Sequence, residues 1–204
     1  MTITASAVEP HEQQAVPVAV SRAWAVLIGG VIGLAASVTL TVEKIKLLLD
    51  SGYVPSCNLN PVLSCGSVMV TPQASVLGFP NPLLGIVAFT VVIVTGVLAV
   101  AKVPLPRWYW TGLALGTLAG AGFVHWLIFQ SLYRIGALCP YCMVVWAVTL
   151  CLLVIFAALA HEQGDIRNNL QYLHRWRWTV AALWFIALFL LIFIRFQDYW
   201  ITLL

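Results

Sequence analysis

Long apolar stretches separated by short polar ones dominate the chain. A transmembrane helix needs about 20 mostly apolar residues. Five stretches meet or approach that length, at residues 23–42, 83–101, 108–129, 138–160 and 179–194. The first lacks a basic n-region and outruns the apolar core of a signal peptide, about 7–15 residues, so it reads as an uncleaved span. Residues 1–20 are polar, with Pro and Gln, and predict a disordered tail. The one long segment between spans is 43–82. Its start, Glu43, Lys44, Ile45 and Lys46 followed by three leucines, continues the first helix out of the bilayer. Its later part holds Val68, Met69, Val70, Val76, Leu77 and Phe79, which is too apolar to stand in water. This predicts a short helix or cap on the membrane surface, broken by Pro55, Pro61, Pro72, Pro80 and Pro82. The expected fold is an all-α integral membrane protein: a four-helix transmembrane bundle plus a fifth transmembrane helix.

Composition narrows the picture. Apolar residues make up 62% of the chain and charged residues 8%, against roughly 45–50% and about 25% in soluble domains. No second large soluble domain fits. A net charge of +3 without a basic, polar-interleaved run excludes a nucleic-acid partner. With the N-terminus cytoplasmic, the inner segments hold six basic residues (Arg22, Lys102, Arg107, Arg167, Arg175, Arg177) and the outer ones four (Lys44, Lys46, Arg134, Arg195), in the sense of the positive-inside rule. Trp108, Tyr109 and Trp110, then Trp176 and Trp178, then Tyr199 and Trp200 mark span ends as an aromatic belt. Gly29 and Gly33 in the first span, and Gly112, Gly116 and Gly120 in the third, predict close helix packing. Spans almost free of charge argue against an ion pump. His125 inside the third span is expected to hydrogen-bond a neighbour.

The candidate chemistry lies in four cysteines. Cys57 and Cys65 form C-x7-C in the long loop; Cys139 and Cys142 form C-P-Y-C where the fourth span begins. In this orientation both pairs face the outside, where disulfides persist. Proline suits the first helical position, so Pro140 makes Cys139 the N-cap, where helix dipole and free N–H groups favour a thiolate. Three residues of helix rise about 4.5 Å, within disulfide reach, and set Cys142 a turn deeper in the membrane. The outer sulfur meets a loop thiol and the inner one meets an oxidant dissolved in lipid. A quinone suits that part, because it takes two electrons and two protons as a dithiol closes. Its carbonyl needs a donor in an apolar pocket, and Asn81 at the outer start of the second span offers one, or else caps that helix. The alternatives are a four-thiolate zinc site, which lacks a second C-x2-C, and a loop staple on a non-catalytic membrane scaffold. Cys151, mid-span, reads as an apolar filler.

The run C-N-L-N-P-V-L-S-C, then Asn81, Pro82, Leu83, Leu84 and Gly85 opening a span, then C-P-Y-C opening the fourth, resembles the vitamin K epoxide reductase (VKOR) family over residues 23–160. The resemblance implies a four-helix bundle around a quinone. It implies a membrane thiol oxidoreductase that passes electrons from a thioredoxin-like partner through two cysteine pairs to that quinone, supporting disulfide formation outside the cytoplasm. Cys57 takes electrons from the partner, Cys65 attacks Cys139, Cys142 faces the quinone, and Asn81 hydrogen-bonds its oxygen. Vertebrate members have Tyr four residues after the second C-x-x-C cysteine. Here Trp146 stands there, with an indole N–H in place of the hydroxyl. The quinone is menaquinone or ubiquinone, a vitamin K-like naphthoquinone being favoured, and no metal is called for. Many bacterial members carry a fused thioredoxin-like domain after a fifth span. This chain ends at Leu204, so a separate DsbA-like protein is the expected partner. The quinone reductase DsbB is the nearest rival, but its C-x-x-C lies in the first external loop, the reverse order. The expected organisation is a cytoplasmic tail (1–22), a core (23–160) with external loop 43–82, a cytoplasmic loop (161–178), and a fifth span with a short external C-terminus (179–204), in a multi-pass cell-membrane protein.

Overall fold

In hydrocarbon a backbone must satisfy its own hydrogen bonds, and the apolar stretches do so as helices. The computed structural model describes residues 18–50, 52–163 and 171–201. Most of the expected N-terminal tail, and residues 164–170 of the expected cytoplasmic loop, lie outside the described residues. In chain order the elements are α1 (Val20–Leu49), α2 (Cys65–Met69), a 3-10 turn (Pro72–Ser75), α3 (Pro82–Val100), α4 (Arg107–Phe129), a π-helical turn (Gln130–Ile135), α5 (Pro140–Gln163), α6 (Gln171–Arg195) and α7 (Gln197–Ile201). Among the described residues, five helices are long and apolar enough to cross a membrane. The protein is an all-α membrane protein of the expected kind, and its first and last spanning helices outrun their apolar stretches. α1 has 30 residues, about 45 Å of helix against a hydrocarbon core of about 30 Å. Its last turns, carrying Glu43, Lys44 and Lys46, therefore continue beyond the first apolar stretch.

α1, α3, α4 and α5 form the bundle, and α1 meets α3 most closely. A Cβ on Gly96 would lie 2.6 Å from the Leu27 Cα, and one on Gly33 would overlap the Phe89 ring. Only glycine permits that approach, as expected for Gly33. Ala23, Val26, Phe89, Val92, Trp110, Leu152 and Phe156 fill the centre. At the far end from the cysteines, Arg22 donates to Glu162 at 2.5 Å, tying α1 to α5.

The glycines of α4 depart from expectation. No atom outside the helix lies within 4 Å of a Cβ built on Gly112 or Gly116, and Gly120 has only Thr149 at 3.9 Å. Their bare faces do not seat a neighbouring helix; all three line a cavity between the helices. Small residues in a membrane helix admit either a second backbone or empty space, and sequence spacing does not separate the two.

α6 lies against the bundle along one edge, where Trp184, Leu188 and Ile192 pack on the cluster of Val124, Ile128 and Trp146. His125 joins the two parts. Its Nδ1–H donates to the Ala121 carbonyl at 2.7 Å, and its Nε2 accepts from the Trp184 indole at 2.9 Å. His125 is thus bonded to its neighbours, as expected.

Candidate redox site

The loop between α1 and α3 folds over one end of the bundle through its own polar side chains. Asn60 Oδ1 accepts from the N–H groups of Val62 (3.0 Å) and Leu63 (2.7 Å). Asn58 Oδ1 accepts from the Gly66 N–H at 2.9 Å and the Ser64 hydroxyl at 3.2 Å. Short amides bonding the backbone a few residues on are how asparagine makes turns, and these two shape C-x7-C into a closed loop. Cys57 and Cys65 are joined as a disulfide, with Cα atoms 5.6 Å apart.

A parallel backbone bridge then docks this loop on the segment before α5. Leu63 pairs with Leu138: the Leu138 N–H donates to the Val62 carbonyl at 2.7 Å, and the Ser64 N–H to the Leu138 carbonyl at 2.9 Å. Gly136, at φ 71°, supplies the left-handed turn that ends the π-helical segment and delivers the chain to this bridge. Cys65 and Cys139 follow the bridge on either side. Their Sγ atoms stand 3.1 Å apart, both fully buried among Leu40, Cys57 and Met69.

Cys139 accepts the first helical hydrogen bond of α5, from Met143 N–H at 3.0 Å, which makes it the N-cap. Its thiol is held below the ordinary value, first by the hydrogen bond from the Cys142 side chain, then by the N–H groups of Cys142 and Tyr141; burial works in the opposite sense. Cys142 is half-buried, and it lines the cavity.

That cavity holds about 490 Å³, in the range of small-molecule sites. It runs between the helices from the cap, at Met69 and Gln73, to the glycines of α4. Cys142, Asn81 and Trp146 all face it, so the inner cysteine and both expected quinone contacts meet in one space. The cap is the predicted surface element: α2 and the 3-10 turn, with Val68, Met69 and Ala74 forming its inner side.

Asn81 occupies the N-cap position of α3 but makes no capping bond with its side chain. Its backbone is helical (φ −52°, ψ −35°), whereas a capping side chain needs an extended residue. Nδ2 donates to the Gln73 carbonyl at 2.7 Å, and Oδ1 accepts from Val76 N–H at 3.0 Å. Asn81 therefore pins the cap to α3, and one of its two amide N–H bonds is left over.

Two neighbours have no place in the sequence reading of the site. Glu43 accepts from the Tyr53 hydroxyl at 2.8 Å and the Ser56 hydroxyl at 2.9 Å, holding the segment that leads into Cys57. Lys44 donates to the Met69 carbonyl and lines the cavity. Their one sequence signal is a pair of charges where a span leaves the bilayer, which reads equally well as a solvated helix end.

A model of the vitamin K epoxide reductase family matches residues 24–157, which takes in α3, α4, most of α1 and α5, and both cysteine pairs. The chain belongs to the vitamin K epoxide reductase family. As a VKOR-family protein it is a multi-pass membrane oxidoreductase with a disulfide-capable cysteine set. The family generally uses quinone in its redox chemistry and works with thioredoxin-like partners. Comparison with curated proteins finds no match.

Proposed function

We propose that this VKOR-family protein oxidises a separate thioredoxin-like, DsbA-like protein on the external side of the cell membrane and delivers the electrons to a quinone in the bundle cavity. The observation that carries this reading is the 3.1 Å approach of Cys65 to Cys139, with Cys142 on the cavity side of the pair. The sulfurs thus run from the loop to an apolar space.

The partner's thiolate attacks Cys57 Sγ and frees the Cys65 thiolate. The partner's second thiol then closes its own disulfide, leaving Cys57 and Cys65 reduced. Cys65 attacks Sγ of Cys139 in an oxidised Cys139–Cys142 pair, and Cys142 leaves as thiolate. Cys57 attacks Cys65, the loop disulfide re-forms, and Cys139 leaves. A thiol held below its ordinary value is the better leaving group, which suits Cys139 to this step. The structure has the bonding of the state that follows, with the loop pair joined and Cys139 and Cys142 reduced.

The residues present fit a naphthoquinone ring: an apolar cavity, a thiol in its wall, the spare Asn81 N–H and the Trp146 indole. A bound quinone supplies a two-electron, two-proton acceptor that re-forms the Cys139–Cys142 disulfide. Asn81 and Trp146 orient it, and the cap excludes water.

The test supplies the purified protein in lipid nanodiscs with a reduced DsbA-like protein and 2-methyl-1,4-naphthoquinone. The native protein turns over continuously. Cys142→Ala oxidises about one equivalent of partner through the loop disulfide and then stops, with no quinone reduced. Continued quinone reduction by Cys142→Ala would overturn the relay.

A further inference from the structure

Among the described residues lining the cavity, Lys44 is the one charged side chain. It is 8% exposed, and Met69 O is the acceptor it meets. An ammonium carries three N–H donors. The neighbouring carboxylate of Glu43 is turned to Tyr53 and Ser56, and among the described residues no carboxylate lines the cavity. A buried charge without a counter-ion is costly. The Met69 carbonyl holds the ammonium between the cap and the cavity. What the site lacks is an anion, and the redox step creates one.

We propose that Lys44 is a catalytic contact to the quinone oxygen at the cap end of the cavity, stabilising the negative charge that this oxygen gains as the cysteine pair is oxidised. The inference rests on the quinone reading above. In the step, Cys139 and Cys142 lose two S–H bonds and gain one S–S bond; two electrons and two protons pass to the two quinone oxygens, which gain two O–H bonds. Lys44 donates a hydrogen bond to one oxygen while electron transfer runs ahead of protonation, and it remains an ammonium at the end. A fixed donor aimed at developing charge in a water-poor site is an efficient form of catalysis.

The same contact predicts a binding preference that needs no turnover. The cavity takes up 2-hydroxy-1,4-naphthoquinone, an anion at neutral pH, through Lys44, while neutral 2-methyl-1,4-naphthoquinone depends little on it. Binding of both probes is measured by tryptophan quenching in nanodiscs for the native protein, Lys44→Met, Lys44→Gln and Lys44→Arg. The two neutral variants lose about 10- to 100-fold in affinity for the anion, the worth of one charge-assisted hydrogen bond, and change less than about threefold for the neutral probe. Lys44→Arg keeps most of the anion affinity. Single-turnover oxidation of the Cys139–Cys142 dithiol by the neutral probe slows by a similar factor in Met and Gln. Equal anion affinity in the native and both neutral variants overturns the assignment of Lys44 and leaves the quinone reading standing. Failure of the neutral probe to bind the native protein overturns both.

Discussion

Cys57, where the proposed relay would meet its partner, is only 4% exposed, so in that proposal the segment before it must open for exchange to occur. Glu43 sets how often it opens. Its carboxylate receives the Tyr53 and Ser56 hydroxyls at 2.8 and 2.9 Å, one from each side of Pro55. In Glu43→Gln the amide oxygen still accepts one hydroxyl, but the NH₂ group cannot accept the other. Hydrogen bonds to a charged acceptor contribute about 1.5–3 kcal/mol each, and the part-buried setting argues for the lower end. Loss of one bond and of the charge behind the second comes to about 2 kcal/mol. At a tenfold change per 1.4 kcal/mol, the open fraction rises about 30-fold. The assay is maleimide labelling of Cys57 as a free thiol in a Cys65→Ala background, under conditions where closing outpaces reaction and rate follows the open population. Glu43→Gln labels about 30-fold faster, and Tyr53→Phe and Ser56→Ala each about tenfold faster. Labelling within twofold of the background in all three would refute the clamp.

Two further outcomes test other parts of the site. Gly116→Leu directs its side chain into the cavity from a Cβ that meets no neighbouring atom within 4 Å. It should leave thermal stability unchanged or raised by up to about 1 kcal/mol, and raise KM for the quinone about 10- to 200-fold, the effect of a methylene-scale misfit in an apolar pocket; an unchanged KM contradicts the assignment of the cavity. The Cys139 thiol is held low chiefly by the Cys142 side chain, so its thiolate persists as pH falls below the ordinary thiol range. With the loop disulfide intact and Cys151 replaced by Ala, Cys142→Ala moves the ultraviolet thiolate titration of Cys139 to higher pH, while Cys142→Ser keeps a donor and holds it lower; superimposable curves count against this cause.

Apolar run length determines the helices, and proline position determines where α3 and α5 begin, so the bundle and the N-cap role of Cys139 were legible in the sequence. The cap was legible too, because valines and a methionine in a loop must find cover. The Leu63–Leu138 bridge was not. It joins main-chain groups 75 residues apart, and its side chains are leucines that differ in no way from core leucines. Asn81 illustrates a subtler limit. Residue type gives its donors and acceptors, but its backbone conformation decides whether they turn toward the helix or the cap. The α4 glycines show the same ambiguity, since an absent side chain fits tight packing and a void alike.

The main-chain bridge beside the cysteines has a consequence for direction. Amides and carbonyls hold Cys65 and Cys139 side by side, and neither group changes when sulfur is oxidised or reduced. In the proposed relay, handover between the pairs then takes side-chain rotation with little backbone rearrangement, and the middle of the chain of sulfurs acts as a two-way conductor. Net flow in that relay is decided at the two terminals, by how reducing the incoming protein is and how oxidising the membrane pool is.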